Sequence, residues 1–537
     1  SFTAFSYSNF GDLKAGTVAN GDYGKFGFRP YYVETNNSVD TLIRNDDDSK
    51  QINSGYTQYD VMEKILYQQN AKISHLINLQ YSTSTDIPRY DRLTDPLNDD
   101  SLKYAQWYYG PQNRLLAAYE FKYAGANKLF DMAHLTASYQ AIEESRHDRR
   151  YGKTSLNHRT ENVNVIGFNF DFSKTIKNSD IRYGLESYLN DVQSVAETEN
   201  IEDGTITPLS TRYPDGGSTM NNFAAYISHN IKMSNGKWVL NDGLRYNYSM
   251  LTAKFEDKTF FPFPFDEIEQ NNGALTGSLG IIYLPNASTK VALSGSTGFR
   301  TPNVDDLTKV FESSAGAIVV PNPDIKPEYT YNIDLNLVKV FADRVELELT
   351  GFYTIANNYF STQPSTFGGE DSIIYDGELS QVLTVMNTES AYLYGFNAGI
   401  DVKINDMFSL ASYITYTYGR VETDTTPYPL DHIPPMYGKT SFNFKKDKIH
   451  AEVYALYNGW KHIEDYNIVG GEDNEQYATV DGMPSWYTLN LKAGYRINDM
   501  FEVQAGCENI LDLNYRVFAS GISAPGRNVY VTLRSKF

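Results

Sequence analysis

The sequence contains one cysteine, Cys507, so no disulfide framework can form within the chain. No run of about 18 or more apolar residues occurs, which excludes a transmembrane helix. No Pro/Ser/Gly-rich linker or abrupt change in composition divides the chain, and we treat residues 1–537 as one domain. The net charge of −20 argues against a nucleic-acid partner.

Motifs for bond chemistry are also missing from the sequence. It contains no GxSxG, HExxH, P-loop or CxxC pattern, each of which places a nucleophile, a metal or a phosphate in a defined geometry. We therefore predict that the protein is not an enzyme and has no intrinsic cofactor. The first residue, Ser1, is not an initiator Met and no signal peptide is visible, so we expect a processed protein or part of one.

Aromatic residues are abundant, with 43 Tyr and 29 Phe. Many of them lie in runs where apolar and polar residues alternate, as in 164–174, 345–355 and 486–497. Alternation places the apolar residues on one face of a strand. Each run has about the ten residues that a tilted strand needs to cross a bilayer, and tyrosines suit the aromatic girdles at its two interfaces.

Short turns alternate with long polar stretches along the whole chain. The segment INDMF occurs at 404–408 and 497–501, each time between two alternating runs, and Asn-Asp suits a tight hairpin because both residues tolerate positive φ. About ten such turns predict an all-β transmembrane antiparallel barrel of about 22 strands, with short periplasmic turns and long extracellular loops. The last strand, 528–537, is expected to pair with the first, 2–13. A soluble propeller is the alternative, but its loops would not alternate strictly between two lengths.

Three segments and the terminal residue resemble those of the TonB-dependent outer-membrane receptors. GFRTPNVDDL (298–307) is similar to their FRAP-type box, PNPDIKPE (321–328) to the NPDL-type box, and ENILDLNYR (508–516) to the segment before the last strand. The terminal Phe537 matches the signal that such barrels present to the barrel-assembly machinery. The resemblance covers essentially the whole chain.

The resemblance implies active import of a scarce nutrient across the outer membrane of a Gram-negative bacterium. The implied partners are the TonB-ExbB-ExbD energy-transducing complex, outer-membrane lipid and lipopolysaccharide, and a surface lipoprotein or haemoprotein. The family also has an N-terminal plug domain, and we expect that this plug, its TonB-binding box and a signal peptide lie upstream of residue 1.

Further segments resemble the haem and haemoglobin receptor branch, namely DIPRYDRL (86–93), LKYAQWYYGPQ (102–112), EESRHDRR (143–150) and PLDHIPPMYG (429–438). Haem iron is therefore the first expected cargo, and a ferric siderophore or cobalamin is the second. Many haem receptors carry an axial His between the two boxes, but 303–320 contains none. A passive porin or an adhesin is the rival class, and a plug-like sequence upstream of Ser1 would decide against it.

The candidate ligand-binding residues belong to three sets. Arg300 and Asp324 lie in the two boxes, and the aromatic set contains Tyr104, Trp107, Tyr108 and Tyr109. The third set consists of loop residues that suit haem iron or an acidic group, namely His147, His158, His462 and Arg149. For the histidines an ordinary surface position is the alternative, and for the aromatic set it is the upper girdle. No metal site is predicted.

Overall fold

The computed structural model describes residues 1–98, 101–314, 316–375, 377–423, 426–467 and 473–536. Phe537, predicted as the assembly signal, lies outside these residues. The wall consists of twenty strands, β1 to β20 in chain order: Phe2–Phe10, Tyr56–Gln68, Ile73–Ser84, Asn113–Ala124, Met132–Arg150, Ser155–Ile176, Ser179–Asn200, Ser218–Met233, Trp238–Lys254, Glu267–Asn286, Thr289–Arg300, Glu328–Phe341, Val345–Pro364, Glu378–Lys403, Phe408–Glu422, Tyr437–Lys446, Ile449–Asn458, Trp486–Arg496, Phe501–Glu508 and Asn528–Ser535.

Shorter elements fill the long connections. The short strands are Tyr31–Asn36, Val39–Arg44, Ile87–Pro88, Pro96–Asn98, Ser101–Leu102, Tyr104–Tyr109, Ile206–Pro208, Phe311–Ser314, Ala317–Val320, Ser372–Tyr375, Tyr428–Pro429, Lys461–His462 and Gly482–Met483. The helix α1 spans Val304–Thr308, and 3-10 turns span Arg92–Thr94, Ser234–Gly236, Ile463–Asp465 and Glu475–Tyr477. Within the described part of the chain, no helix is long and apolar enough to cross a membrane.

The expected count of about 22 strands is not met, because one predicted turn does not join wall strands. The turn at Asn36–Ser38 connects the short strands Tyr31–Asn36 and Val39–Arg44, which form a separate two-stranded sheet. Strands of six residues are too short to cross a bilayer, for which about ten are needed. The alternation of short and long connections was therefore read correctly everywhere except at this hairpin.

The expected closure of the wall is also not observed. Consecutive wall strands pair antiparallel from β1 to β20, but no ladder joins β20 to β1 among the described residues. The two ends meet only at the long-loop rim, where isolated bridges join Ala15 to Pro525 and Val18 to Leu513. Two strand edges therefore flank a seam below these bridges.

Both INDMF turns lie at the short-turn rim, opposite the loop 301–327. The side-chain oxygen of Asn405 accepts hydrogen bonds from the backbone N–H groups of Met407 and Phe408, each at 2.9 Å. Asn498 makes the same two bonds in the second copy. Neither the Asn nor the Asp of these turns has a positive φ. The asparagine side chain, and not a left-handed backbone, therefore closes both turns.

The outer face of the wall is apolar, as the alternation predicts. In β18, Tyr487, Leu489 and Leu491 are exposed, whereas the intervening Thr488 and Asn490 are buried on the inner face. Near the short-turn rim the outward aromatic rings contact one another, as in the pairs Phe172–Tyr183, Trp238–Tyr283 and Phe408–Phe444. This pattern fits a lipid-facing band with an aromatic girdle at its lower edge.

Replacing Leu491 with Arg should destabilise the barrel by about 2–4 kcal/mol, because it would place a cation in lipid near mid-bilayer. Leu491 is flanked on its outer face by Val453 and Cys507 of the neighbouring strands. The matched control is Lys492→Arg, which keeps a cation on the inner face one residue away. Unfolding by denaturant in lipid vesicles measures the difference, and equal stability of the two variants would show that the faces are assigned wrongly.

The hydrophobic core lies in the extracellular loops and not inside the wall. Leu307 of α1, Ile318 and Val382 are completely buried. The short strand Ala317–Val320 pairs parallel with residues 381–384 of β14, which extends above the rim. We call the loop segments that form this core the cap, and it comprises residues 212–213, 255–265, 304–313, 317–325, 367–375 and 381–385. The cap folds over one side of the extracellular mouth and supplies one wall of the site described next.

Candidate arginine pocket at the extracellular mouth

A cavity of about 340 Å³ lies between the upper ends of β5 and β6, the short strand Tyr104–Tyr109 and the cap. We call it the arginine pocket. Its lining includes five arginines and five aromatic residues, which are Arg89, Arg92, Arg146, Arg159, Arg212, Tyr104, Trp107, Tyr109, Phe311 and Tyr375. Asp148, Glu312, Val310, Ser313 and Asn474 complete it. The concentration of arginines is unexpected in a chain with a net charge of −20.

Guanidinium groups and aromatic rings are stacked in this pocket. The Arg89 carbon Cζ lies 4.7 Å from the centre of the Trp107 ring, and that of Arg146 lies 5.7 Å from the Tyr109 ring. On the cap side, Arg212 lies 5.1 Å from the Phe311 ring. Cation–π contacts of this kind fix the planes of the guanidinium groups while their edges remain available for hydrogen bonds.

Carboxylates hold the arginines in place. Arg146 pairs with Glu161 at 2.8 Å, and Arg159 pairs with Asp148 at 3.1 Å. Arg212 reaches only one oxygen of Asp305, at 3.4 Å. Its buried Nε donor has no hydrogen-bond partner among the described residues. A buried N–H without a partner is unfavourable, so Arg212 can donate a further hydrogen bond to an acidic oxygen.

Burial alters the ionisation of groups next to the pocket. Burial raises the pKa of Tyr104, and the neighbouring Glu312 raises it further. The Tyr104 hydroxyl therefore stays neutral and can donate a hydrogen bond. Burial also raises the pKa of Glu161, and it outweighs the positive charge of Arg146, which lowers that pKa. These shifts are typical of a water-poor site, where an ionic contact to a ligand would be poorly screened.

Ion pairs fasten the cap to the wall at this pocket. Lys103 is buried, and its Nζ lies 2.8 Å from Glu312 and 3.6 Å from Glu378. Glu378 also forms an ion pair with Arg150 at the end of β5. The cap side of the pocket is therefore tied directly to the strand that carries Arg146.

The structure divides the predicted aromatic set between two faces. Tyr104, Trp107 and Tyr109 line the arginine pocket, whereas Tyr108 stacks on His147 with the ring centres 4.7 Å apart. Since neighbours in a strand point to opposite faces, Tyr108, His147 and His158 lie on the outer surface of the wall. Neither histidine reaches the pocket.

Arg149 does not belong with the ligand-binding candidates, because its side chain is completely buried in an ion pair. It donates two hydrogen bonds to Asp40, at 2.7 and 2.8 Å, and further bonds to Thr35, Gln106 and the carbonyl of Lys153. All five of its donors are thus occupied. The pair fastens the hairpin 31–44 to the wall, which explains why a charged residue is tolerated there.

The box residues and His462 lie elsewhere in the mouth. Arg300 donates to Asp306 at 2.6 Å and covers the Phe360 ring at 4.6 Å, so it orients the start of α1. Asp324 is exposed, and its backbone N–H bonds the side chain of Asn322. His462 stacks on Trp460 at 5.6 Å in another loop. None of the three lines the arginine pocket.

Most pocket arginines were not selected from the sequence. Arg159 alternates with Ile166 and Phe168 and therefore lies on the opposite face of the strand, so the sequence pattern alone predicts that it points inward. Arg89 and Arg92 lie within DIPRYDRL, a segment singled out above for its resemblance alone. Arg212 gave no local signal, because only the folded cap brings it to the other arginines.

Comparisons with known proteins agree with this architecture. The family described as TonB dependent receptor-like, beta-barrel matches residues 2–510. The iron-regulated outer membrane virulence protein of Vibrio cholerae serotype O1 is 23% identical over 248 residues, which are 45% of this chain and 36% of that protein. The probable hemoglobin and hemoglobin-haptoglobin-binding protein 4 of Haemophilus influenzae is 25% identical over 270 residues, 46% of this chain and 25% of that protein.

Among solved structures, the copper transporter OprC superposes with a TM-score of 0.78 at 11% identity, covering 100% of this chain and 78% of that chain. At this identity the likeness concerns the fold alone. The matches to the two curated relatives span no more than about a third of their length. The chain belongs to the TonB-dependent receptor β-barrel family, whose members lie in the outer membrane of Gram-negative bacteria.

Proposed function

We propose that residues 1–537 form the wall and mouth of a receptor that imports iron as an anionic aromatic chelate, with energy delivered through TonB. The ligand class rests on Arg212, which lines a pocket of arginines and aromatic rings and whose buried Nε has no hydrogen-bond partner among the residues that the structure describes. Iron is the metal proposed because the Vibrio cholerae relative is named as iron-regulated.

The pocket suits a planar ligand that carries acidic groups. Arg89 and Arg146 already stack on Trp107 and Tyr109, so a flat ring system can extend the same stack. Guanidinium edges recognise carboxylate or phenolate oxygens with directional hydrogen bonds. Both features are needed together, since an aromatic ligand without acid groups would leave the Nε of Arg212 without an acceptor among the described residues.

Two classes of iron compound share this chemistry. Haem offers a porphyrin plane and two propionates, and a catecholate siderophore offers rings with negative oxygens. Haem stays the first ligand to test, although no histidine lines the pocket and an imidazole ligand for its iron would have to come from elsewhere. Cobalamin is the third candidate.

The complete receptor is proposed to close the seam between β1 and β20 with further strands. An unpaired strand edge cannot remain in lipid, because its N–H and C=O groups would be unsatisfied. Two additional strands would give the expected total of about 22 and keep the count even. A plug domain would occupy the lumen and connect the ligand site to the TonB-ExbB-ExbD complex.

Tryptophan fluorescence of the full-length receptor tests the ligand class. Haem, a ferric catecholate and cobalamin are titrated separately, with an uncharged ferric hydroxamate as the control. We expect saturable quenching by one of the two anionic aromatic chelates, and a much smaller signal in Trp107→Phe, which retains the ring but not the indole. Equal affinity for the uncharged chelate would contradict the proposal.

A further inference from the structure

The outer surface of the wall carries a second side-chain cluster, behind the arginine pocket. Arg146 and Asp148 of β5 face the pocket, so the intervening His147 points to the opposite side. His147 lies directly across from His158 of β6 in the strand register. Glu199 of β7 lies on the same outer face. Three neighbouring strands thus contribute one residue each.

This cluster lies above the lipid-facing band. The outward residues of these strands change from apolar to polar within two outward pairs of each ladder, from Tyr139, Ile166 and Leu189 to Glu143, Asn162 and Gln193. The two histidines lie two outward pairs higher than the polar row. They are therefore in the extracellular water layer, and their side chains are partly exposed.

The two imidazole rings meet through the same type of nitrogen. The Nδ1 atoms of His147 and His158 are 2.6 Å apart. The His158 Nε2 lies 3.3 Å from a Glu199 oxygen, and the His147 Nε2 lies 2.8 Å from the Ser145 hydroxyl. Because a carboxylate only accepts hydrogen bonds, Glu199 requires the proton of a neutral His158 to be on Nε2. The Nδ1 of His158 is then a bare lone pair.

Two bare lone pairs cannot face each other at this distance, so a positive centre must lie between them. In the metal-free protein this centre is a proton on Nδ1 of His147, whose Nε2 then accepts from Ser145. A neutral imidazole is the form of histidine that binds metals.

We propose that His147 and His158 bind a borderline divalent transition ion, such as Zn²⁺, Ni²⁺ or Cu²⁺, through their two Nδ1 atoms. The proton of His147 moves from Nδ1 to Nε2 and is donated to Ser145, so no net proton is released when both rings are neutral. Glu199 accepts the Nε2 proton of His158 and orients that ring, as carboxylates commonly do beside metal-bound histidines.

The site forms only when the rings move apart. Two nitrogens that each lie about 2.0–2.1 Å from one ion in tetrahedral geometry are farther apart than 2.6 Å. The chain supplies only these two ligands, because no group of three or more His, Cys, Asp or Glu residues in its described part could hold a metal ion. Water molecules complete the coordination. The affinity for the metal ion falls as the pH is lowered, because protons compete for the imidazole nitrogens.

Copper electron paramagnetic resonance and zinc calorimetry on the metal-stripped full-length receptor test this site. We expect one ion per chain, coupling of Cu²⁺ to two nitrogens, and a loss of Zn²⁺ affinity of at least about tenfold in His147→Asn and in His158→Asn. Glu199→Gln should weaken binding by about tenfold while preserving the two-nitrogen spectrum, because it removes only the orienting group. Asparagine keeps the position polar, so both histidine variants should fold.

His229→Asn is the matched control, because His229 pairs with Asp242 in another part of the wall. It should leave the zinc affinity and the copper spectrum unchanged. Unaltered zinc stoichiometry and affinity in both His147→Asn and His158→Asn would overturn the proposal. The outcome is independent of iron-chelate binding, since none of these residues lines the arginine pocket.

Discussion

Replacing Arg212 with Met is expected to weaken binding of the anionic iron chelate by about 30-fold to several thousand-fold. Truncating one partner of a buried, hydrogen-bonded charge pair costs about 2–5 kcal/mol, and each 1.4 kcal/mol is tenfold in affinity. Arg212→Lys should recover only part of the loss. A lysine keeps the charge but lacks the guanidinium plane that covers the Phe311 ring and the guanidinium edge that donates to an acid group.

The control for this experiment is Arg420→Met. Arg420 also stacks on a tyrosine, Tyr418 at 4.3 Å, and also pairs with an acid, Asp465 at 3.0 Å, but it does not line the arginine pocket. Its loss should leave chelate affinity unchanged. If Arg420→Met and Arg212→Met weaken binding equally, the arginines act through the general charge of the mouth, and the assignment of the pocket is wrong.

Replacing Arg149 with Met should lower the free energy of unfolding by about 3–5 kcal/mol, because it leaves the carboxylate of Asp40 buried without its partner. Changing both residues, as Arg149→Met with Asp40→Leu, should recover much of that loss. The surface variant Arg44→Met removes a half-exposed pair with Asp48 and should cost less than about 1 kcal/mol. Denaturant unfolding in micelles measures all three.

The same pair predicts the direction of a pH effect. Burial favours the neutral acid, but hydrogen bonds from Arg149, Thr35 and Gly152 outweigh it and lower the pKa of Asp40. Its contribution to stability is therefore present above the unfolded value of about 3.9 and is lost as the pH falls through the lower folded value. Arg149→Met should lose this acid-sensitive part of the stability, and an unchanged acid profile would contradict the assignment.

The periodic part of the fold could be predicted from the sequence, because lipid imposes a strict alternation on each wall strand. Tyr487, Leu489 and Leu491 face outward as expected, and both INDMF segments turn at one rim. The count of strands was too high because a hairpin turn at Asn36–Ser38 has the same local chemistry as a wall turn. Only the length of its flanking strands distinguishes the two.

The site was harder to predict, because distant loops create it. Trp107 and Tyr109 line the pocket where five arginines converge, and their role in ligand binding remains a prediction. Arg149 and Arg146 are nearly adjacent in the sequence, yet one is locked in an ion pair and the other lines the pocket. The face of the strand on which each side chain lies and the position of the hairpin 31–44 decide between these roles. The position of the hairpin is visible only in the folded structure.

Uptake of radioactive iron by whole cells that produce the full-length receptor tests the central claim most directly. Iron is supplied as haem, as a ferric catecholate or as an uncharged ferric hydroxamate, with and without collapse of the inner-membrane proton gradient. We predict uptake of an anionic aromatic chelate that stops when the gradient is collapsed and falls strongly in Arg212→Met but not in Arg420→Met. Uptake that continues without the gradient, or that does not distinguish the anionic chelates from the uncharged one, would contradict the account.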